Sequence, residues 1–322
     1  MPLIEHSPYS PPWWLRNRHL HTIYPALCRK VPQVTYTRQR LETPDGDFLD
    51  LDWSKVGADR LLIAVHGLEG SSRSHYMLGM IRAFNRRGWD GVACNLRGCS
   101  GEPNRLLSFY HAGMTGDLHT VISQILAHNS YTRLALVGFS LGGNLVLKYL
   151  GERTAALPQA LTHAAAVSAP CDLASSARQL AKRSNALYMR NFLHAFHQKI
   201  KAKMQQYPGQ LSDAHFQAIK NFKAYDDRYT APLHGFADAE DYWTRCSAKP
   251  LLSRIRIPTL LLNALDDPFL ADACYPYAIA ARSQHLWLET PANGGHVGFV
   301  ACNPAREYWH ETRVAAFIIK GR

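Results

Sequence analysis

The sequence predicts an α/β protein in which helices cover both faces of a mostly parallel sheet. Short apolar runs end in glycine-rich or polar turns, and helical patterns follow them, as is typical of strands that alternate with helices. The chain has 322 residues, 47% hydrophobic and 19% charged, so it can bury a large core and is neither disordered nor fibrous. The predicted strands are residues 61–65, 91–95, 134–137, 164–168, 259–263 and 285–289.

The rhythm of strands and helices changes between residues 172 and 250. No clear strand pattern is visible there, and two helical runs, 177–204 and 212–223, take its place. We therefore predict a helical cap, 172–250, inserted into a core formed by residues 36–171 and 251–322.

Residues 1–35 precede this core and predict an extended arm. Two prolines and two tryptophans at 11–14 favour a segment that packs onto the body through its aromatic side chains. His19 and His21 resemble a metal-binding pair, but no Cys or carboxylate stands at a recognisable metal spacing, so we assign them to packing or to the surface.

The chain is basic, with 36 Lys and Arg against 25 Asp and Glu, a net charge of +11. Residues 172–205 contribute 7 − 1 = +6 of this charge. This cluster is either a solvated helix face or a surface that makes weak contact with an anionic membrane or ligand. Nucleic acid is not expected as a partner, because no DNA- or RNA-binding signature accompanies the charge.

Three sequence features predict a cytoplasmic protein. Residues 1–10 lack the pattern of a secretory signal peptide, and polar residues interrupt every strong apolar run before it could span a membrane. The seven cysteines are odd in number and scattered, which predicts free thiols. The oligomeric state is not indicated.

The candidate nucleophile is Ser140. Residues 138–142, Gly-Phe-Ser-Leu-Gly, follow the predicted strand 134–137 and open the helical run 143–150, which is the setting that a nucleophile elbow requires. The serine sits on a sharp, strained turn, and the flanking glycines let neighbouring chain approach closely.

A serine hydroxyl needs a histidine to remove its proton and a carboxylate to orient that histidine. In enzymes with this elbow the order along the chain is serine, acid, histidine. Asp266 and Asp267 follow the strand 259–263, and we choose Asp267 because Leu270 supplies the aliphatic residue often found three positions after the acid. His296, in a glycine-rich loop after the strand 285–289, is the base.

An acyl-transfer intermediate also needs backbone N–H groups for its oxyanion. The amide of Leu141 follows the nucleophile, and Leu68 lies in the loop after an early strand, so we assign these two donors. His66 is expected to support the turn beneath them, and Arg97 to tie loops together.

These motifs resemble the YheT-like branch of the α/β-hydrolases, nearly end to end. The resemblance implies an α/β-hydrolase fold, a triad of Ser140, Asp267 and His296, and a bacterial cytoplasmic hydrolase. Eukaryotic relatives include enzymes acting on medium-chain esters and phospholipids, which implies carboxylic esters as the substrate class. In the arm, His21 stands where the family often has Gln. The matching phrases are residues 41–48, 66–70, 97–105, 138–144, 266–269 and 294–299.

The expected function is therefore that of a serine carboxylesterase acting on short- to medium-chain acyl esters, small or lipid-like. The chemistry needs no metal or organic cofactor. Two alternatives stay open: an acyltransferase that passes the acyl group to an alcohol, and a non-catalytic protein that binds anions or membrane surfaces. Phe139, Tyr76 and Phe299 either line the substrate pocket or belong to the core.

Overall fold

The computed structural model describes residues 3–320 and confirms the predicted α/β class. Residues 1–2 of the predicted arm and 321–322 of the predicted core lie outside the described residues. The strands are β1 (Leu3–Ile4), β2 (Thr37–Glu42), β3 (Phe48–Ser54), β4 (Arg60–Val65), β5 (Asp90–Asn95), β6 (Arg133–Phe139), β7 (Leu161–Val167), β8 (Thr259–Leu262) and β9 (Leu286–Glu289). Within residues 3–320 they form one nine-stranded sheet in the order β1-β9-β8-β7-β6-β4-β5-β3-β2, in which only β3 runs against the other strands.

Helices pack on both faces of this sheet, and others lie beyond the carboxyl ends of its strands. They are α1 (Arg18–Cys28), α2 (His75–Asn85), α3 (Thr115–His128), α4 (Leu141–Glu152), α5 (Leu173–Leu180), α6 (Ala186–Gln206), α7 (Phe222–Tyr225), α8 (Ala231–His234), α9 (Ala239–Cys246), α10 (Tyr277–Arg282) and α11 (Trp309–Lys320). A π-helical turn, Asp226–Thr230, joins α7 to α8, and 3-10 turns lie at Trp13–Leu15, Arg183–Asn185, Phe216–Ala218, Lys249–Arg254 and Asp272–Cys274. None of the helices within residues 3–320 is long and apolar enough to cross a bilayer.

The sheet divides the core into two apolar layers. Along β4, the side chains of Leu61, Ile63 and Val65 belong to one layer and those of Leu62 and Ala64 to the other. Neighbouring residues of a strand point to opposite faces, so a continuous apolar run is what a strand covered on both faces requires.

The sequence prediction missed β2 and β3 at one edge of the sheet. Arg38 lies opposite Asp52, and Arg40 opposite Asp50, and each pair forms a salt bridge of 2.8 Å. Charges alternate with other residues along both strands, so the apolar run that marks the central strands is absent there. Opposite charges across the pair stabilise this edge instead.

The structure differs from both helical runs that we predicted in residues 172–250, the first at a short break and the second over most of its length. The run 177–204 is interrupted before α6, where Asn185 Nδ2 donates to the carbonyl of Pro268 at 2.8 Å and so ties the break to the core. The run 212–223 contains only a 3-10 turn and the first residues of α7. Asn221 caps α7 by accepting a hydrogen bond from Ala224 N. A helix therefore begins at Phe222, close to the residue where we predicted the run 212–223 to end.

The N-terminal arm is not the extended segment that we predicted, because much of it forms α1. Asn17 caps this helix through hydrogen bonds from the amides of His19 and Leu20. Trp13 is 80% exposed, so the arm is not anchored through this tryptophan. Tyr9 packs against the core instead and donates a hydrogen bond to the carbonyl of Val300.

Candidate active site

Ser140 lies on the sharp turn between β6 and α4, with φ at +52°. The close packing explains the surrounding glycines. A Cβ on Gly138 would lie 2.2 Å from the carbonyl oxygen of Gly142, and one on Gly142 would lie 2.4 Å from that of His66. A Cβ on Gly67 would approach the Ser140 Cβ to 2.9 Å. The strained conformation is therefore enforced on both sides of the serine.

The structure brings the three predicted side chains into one hydrogen-bonded chain. His296 Nε2 lies 2.9 Å from Ser140 Oγ, and His296 Nδ1 lies 2.9 Å from Asp267 Oδ2 and 3.1 Å from Oδ1. Asp267 is fully buried. A carboxylate on Nδ1 favours the tautomer with its proton there, which leaves Nε2 free to accept the serine proton.

Three contacts hold the loop that carries His296. Asp266 Oδ1 accepts from Gly295 N, Thr22 Oγ1 from His296 N, and Ser168 Oγ from Val297 N, all at 2.9 Å. Three consecutive amides of the loop thus have side-chain partners from three separate parts of the chain. The position of the imidazole is consequently fixed through the backbone of its loop as well as through the hydrogen bond to Asp267.

The turn that carries Asp267 is fixed in the same way. Arg18 Nη2 donates to the Asp267 carbonyl at 2.8 Å, and the Phe269 amide donates to Asp267 Oδ1 at 2.9 Å. The Phe269 ring also lies on the imidazole of His296, with centroids 4.2 Å apart. We predicted neither these contacts nor the part that α1 plays in them.

The loop 66–70 approaches Ser140 from the end of β4. His66 Nε2 accepts from Leu96 N at 3.0 Å, so Nδ1 carries the proton that His66 donates to the Gly67 carbonyl at 2.7 Å. Burial lowers the pKa of His66 to about 4, which keeps the ring neutral. A planar peptide fixes both of its ends, so holding the Gly67 carbonyl also orients the N–H of Leu68.

The amides of Leu68 and Leu141 donate no hydrogen bond to any described residue in 3–320. Both residues line the same cavity as Ser140. Tyr110 Oη accepts from the next amide, that of Glu69, and so braces the same loop. Unpaired amides beside a serine are suited to a developing negative charge.

The cavity beside Ser140 and His296 has a volume of about 100 Å³ and mostly apolar walls. Residues from α5, α6, α7 and α9 form much of it, so segment 172–250 closes the site from above the carboxyl ends of the strands. They include Leu173, Leu180, Phe192, Phe196, Phe222 and Trp243.

One acidic side chain, Asp226, also lines this cavity. Its carboxylate accepts hydrogen bonds from Thr230 Oγ1 at 2.6 Å and from Trp243 Nε1 at 2.8 Å. Burial raises the pKa of Asp226 to about 7. No sequence pattern indicated this residue, because a π-helical turn brings it to the cavity.

Other candidates from the sequence lie elsewhere. Arg97 is buried and bonds to Asp45, Asp47 and Asp117, so it ties loops together as expected. Phe139 and Phe299 are buried in the core layer that contains Leu62 and Ala64, and Tyr76 packs against that layer, so of the two alternatives the structure supports the core and not the pocket.

The predicted histidine pair of the arm is split between two environments. His19 Nδ1 lies 3.2 Å from Tyr188 Oη, whereas His21 is buried and accepts from Val300 N. Within residues 3–320, no group of three or more His, Cys, Asp or Glu side chains is arranged to hold a metal ion.

Known proteins resemble this chain in sequence and in fold. A family model described as the alpha/beta hydrolase fold matches residues 60–300. The chain is 38% identical over 305 residues to a protein of Escherichia coli strain K12 named "Putative esterase YheT", covering 92% of this chain and 89% of that protein. It is 28% identical over 309 residues to human "Phospholipase ABHD3", covering 93% of this chain and 75% of that protein.

The solved structure of the Pyrococcus furiosus esterase Pf2001 aligns over 89% of this chain and 91% of its own, with a TM-score of 0.61 and 16% identity. At that identity the likeness shows the fold alone. The sheet order and the family match agree with it, and the predicted resemblance is confirmed. The chain therefore belongs to the α/β hydrolase family, in the branch that contains YheT.

Proposed function

We propose that this hydrolase cleaves carboxylic esters with short- to medium-chain acyl groups through an acyl-enzyme on Ser140. The observation that carries the proposal is the hydrogen-bonded chain from Ser140 through His296 to Asp267, which opens into an apolar cavity. A related protein named as an esterase and another named as a phospholipase support ester bonds as the substrate class.

In the first half-reaction, Ser140 Oγ attacks the ester carbonyl while His296 Nε2 takes its proton. The buried Asp267 carboxylate stabilises the resulting imidazolium through Nδ1–H. The carbonyl oxygen becomes an oxyanion, and the amides of Leu68 and Leu141 donate to it. The tetrahedral intermediate then collapses, and His296 returns the proton to the departing alcohol.

In the second half-reaction, water attacks the acyl-enzyme. His296 removes a proton from the water, the same two amides stabilise the second oxyanion, and the acid leaves as Ser140 regains its proton. An alcohol in place of water would yield a new ester by the same steps. The acyl chain occupies the apolar cavity, which limits its length.

The test is hydrolysis of p-nitrophenyl esters of increasing acyl length, together with labelling by a fluorophosphonate and mass spectrometry of the labelled peptide. We expect wild type to turn over ester and to carry the label on Ser140. Ser140→Ala should lose the label and about 10⁴-fold or more of the turnover. The control is Ser184→Ala, since Ser184 is exposed on segment 172–250 and should keep both.

Two outcomes would count against the proposal. If folded wild type neither turns over nor takes the label, the non-catalytic alternative gains support. If added alcohol diverts most of the acyl group from water, the protein is an acyltransferase, because partition between acceptors is the property that distinguishes the two activities.

A further inference from the structure

Within residues 3–320, most of the large exposed apolar side chains belong to two segments that contact each other, the arm and the start of α6. Within residues 3–320, eight large hydrophobic residues are exposed, and five of them lie on the arm or at the start of α6. We call these five the exposed apolar face: Trp13, Trp14, Leu20, Leu27 and Leu187. Apolar side chains gathered on a surface mark a site of contact, whereas scattered ones do not.

The face includes a stripe along α1. Leu20 and Leu27, 55% and 79% exposed, are seven residues apart, with the half-buried Ile23 between them. Seven residues are close to two helical turns, so these side chains share one side of the helix. Pro25, in contrast, is buried against the core. The helix therefore presents an apolar stripe to solvent, on a side that does not contact the core.

The chain around this face is positive. Residues 6–41 contain six Lys and Arg and no Asp or Glu, and residues 173–212 contain seven and none. Several of these charges are neutralised within the fold, since Arg178 pairs with Glu240 and Lys199 with Glu69. The exposed side chains without a salt bridge to any residue in 3–320 include Arg16, Lys30, Lys182, Arg183 and Arg190.

Direct contacts join the two segments to each other and to the candidate active site. The ring of His19, beside Leu20, stacks on that of Tyr188, beside Leu187, with centroids 5.8 Å apart. Tyr188 packs on Phe269 at 4.8 Å, and Phe269 lies on His296. Two aromatic layers thus separate this surface from the reacting histidine.

We propose that the exposed apolar face binds the surface of an anionic phospholipid bilayer. Tryptophan rings are suited to the interface, leucines insert among acyl chains, and arginine and lysine side chains lie beside anionic head groups. Charge favours lipid over a second copy of this chain, because self-association through the face would bring like charges together. Docking in this way would hold the candidate active site next to the membrane.

The test is cosedimentation of the full-length protein with vesicles of phosphatidylcholine alone or mixed with phosphatidylglycerol. We expect wild type to bind the mixed vesicles and to dissociate as salt is added. The affinity of the double variant Leu20→Ser/Leu27→Ser for these vesicles should be at least about tenfold lower, because two leucine side chains are no longer buried in the bilayer. The variant Lys182→Gln/Arg183→Gln/Arg190→Gln should show a shallower dependence on salt.

The matched control is Val56→Ser, since Val56 is 52% exposed and lies before the amino end of β4, whereas Ser140 follows the carboxyl end of the neighbouring strand β6. It should bind like wild type. Equal binding by the leucine variant and wild type, or no binding to anionic vesicles, would overturn the proposal. So would a dimer in light scattering that Leu20→Ser/Leu27→Ser dissociates.

The vesicle assay does not depend on turnover, so it is separable from the proposed ester hydrolysis. Fluorophosphonate labelling and cleavage of a soluble short-chain ester are measured on the same preparations. Protein that takes the label but does not bind vesicles would contradict only the membrane proposal. Protein that binds vesicles but takes no label would contradict only the proposed ester hydrolysis. Thermal unfolding of each variant shows that the exposed substitutions leave the fold intact.

Discussion

Asp266 and Asp267 are consecutive in the chain, but their carboxylates bind different parts of one loop. Asp267 accepts from the imidazole of His296, whereas Asp266 accepts from the backbone amide of Gly295. One carboxylate thus orients the imidazole, and the other holds the loop that carries it.

This difference predicts unequal effects of the same substitution. Asp267→Asn should lower kcat by about 10⁴-fold, because the amide favours the wrong histidine tautomer and cannot balance an imidazolium. Asp266→Asn keeps an oxygen acceptor for Gly295 and should lower kcat by about tenfold or less. Steady-state kinetics on a soluble ester compares the two variants, and equal losses would show that the acid is wrongly assigned.

The residues that meet at this site could be selected from the sequence because each follows a parallel strand. Ser140 comes after β6, Asp267 after β8 and His296 after β9, and the carboxyl ends of such strands meet at one edge of a sheet. The glycines near Ser140 and His296, and the chain order of serine, acid and histidine, reduced the number of candidate residues further. The central strands themselves could be predicted because buried parallel strands are continuous apolar runs.

The braces of the site could not be predicted in the same way. Thr22 is 274 residues from the His296 amide that it accepts from, and Ser168 is 129 residues from Val297. A single hydroxyl that caps a distant amide leaves no periodic signal in either segment. The helix α1 was missed for a related reason, since prolines and tryptophans before it favoured an extended chain.

The neutral His66 predicts a role that can be separated from proton transfer. His66→Phe removes the donor to the Gly67 carbonyl and frees the loop that ends in the Leu68 amide, so kcat should fall by about 10²–10³-fold with little change in KM. His66→Asn keeps a donor near Nδ1 and should recover part of the loss. Kinetics of both variants, with fluorophosphonate labelling, provides the test. A change in KM with kcat unchanged would contradict the prediction.

The cavity wall predicts acyl-chain preference. Phe192 is half-buried on α6 and lines the cavity, so Phe192→Ala should enlarge it at little cost to the fold. We expect the ester of highest kcat/KM to shift toward longer acyl chains by about two to four carbons, because one aromatic ring is removed. The Tyr277→Ala variant, exposed on α10, should keep the wild-type optimum.

Asp226 predicts a dependence of stability on pH. Its pKa is raised to about 7 by burial, whereas an unfolded aspartate has a pKa of about 4. Between these values the unfolded chain releases a proton that the folded protein keeps, so the free energy of unfolding falls as pH rises, by at most about 4 kcal/mol.

Asp226→Asn removes this titration. The Tm of the variant minus that of wild type should therefore increase from about pH 5 to about pH 8. Thermal unfolding at several pH values measures it, with Asp227→Asn, exposed beside it and paired with Lys223, as the control. A difference in Tm that does not change with pH would mean that the carboxyl at Asp226 ionises normally.

The contacts of α1 with the His296 loop also define how short the chain can be made. The family match begins at residue 60, and a fragment starting there would contain Ser140, Asp267 and His296. It would lack Thr22 and Arg18, and so the hydroxyl on the His296 amide and the guanidinium on the Asp267 carbonyl. We therefore expect the smallest fragment that keeps the site intact to extend beyond the residues that match the family, because two of the groups that hold the site lie before them.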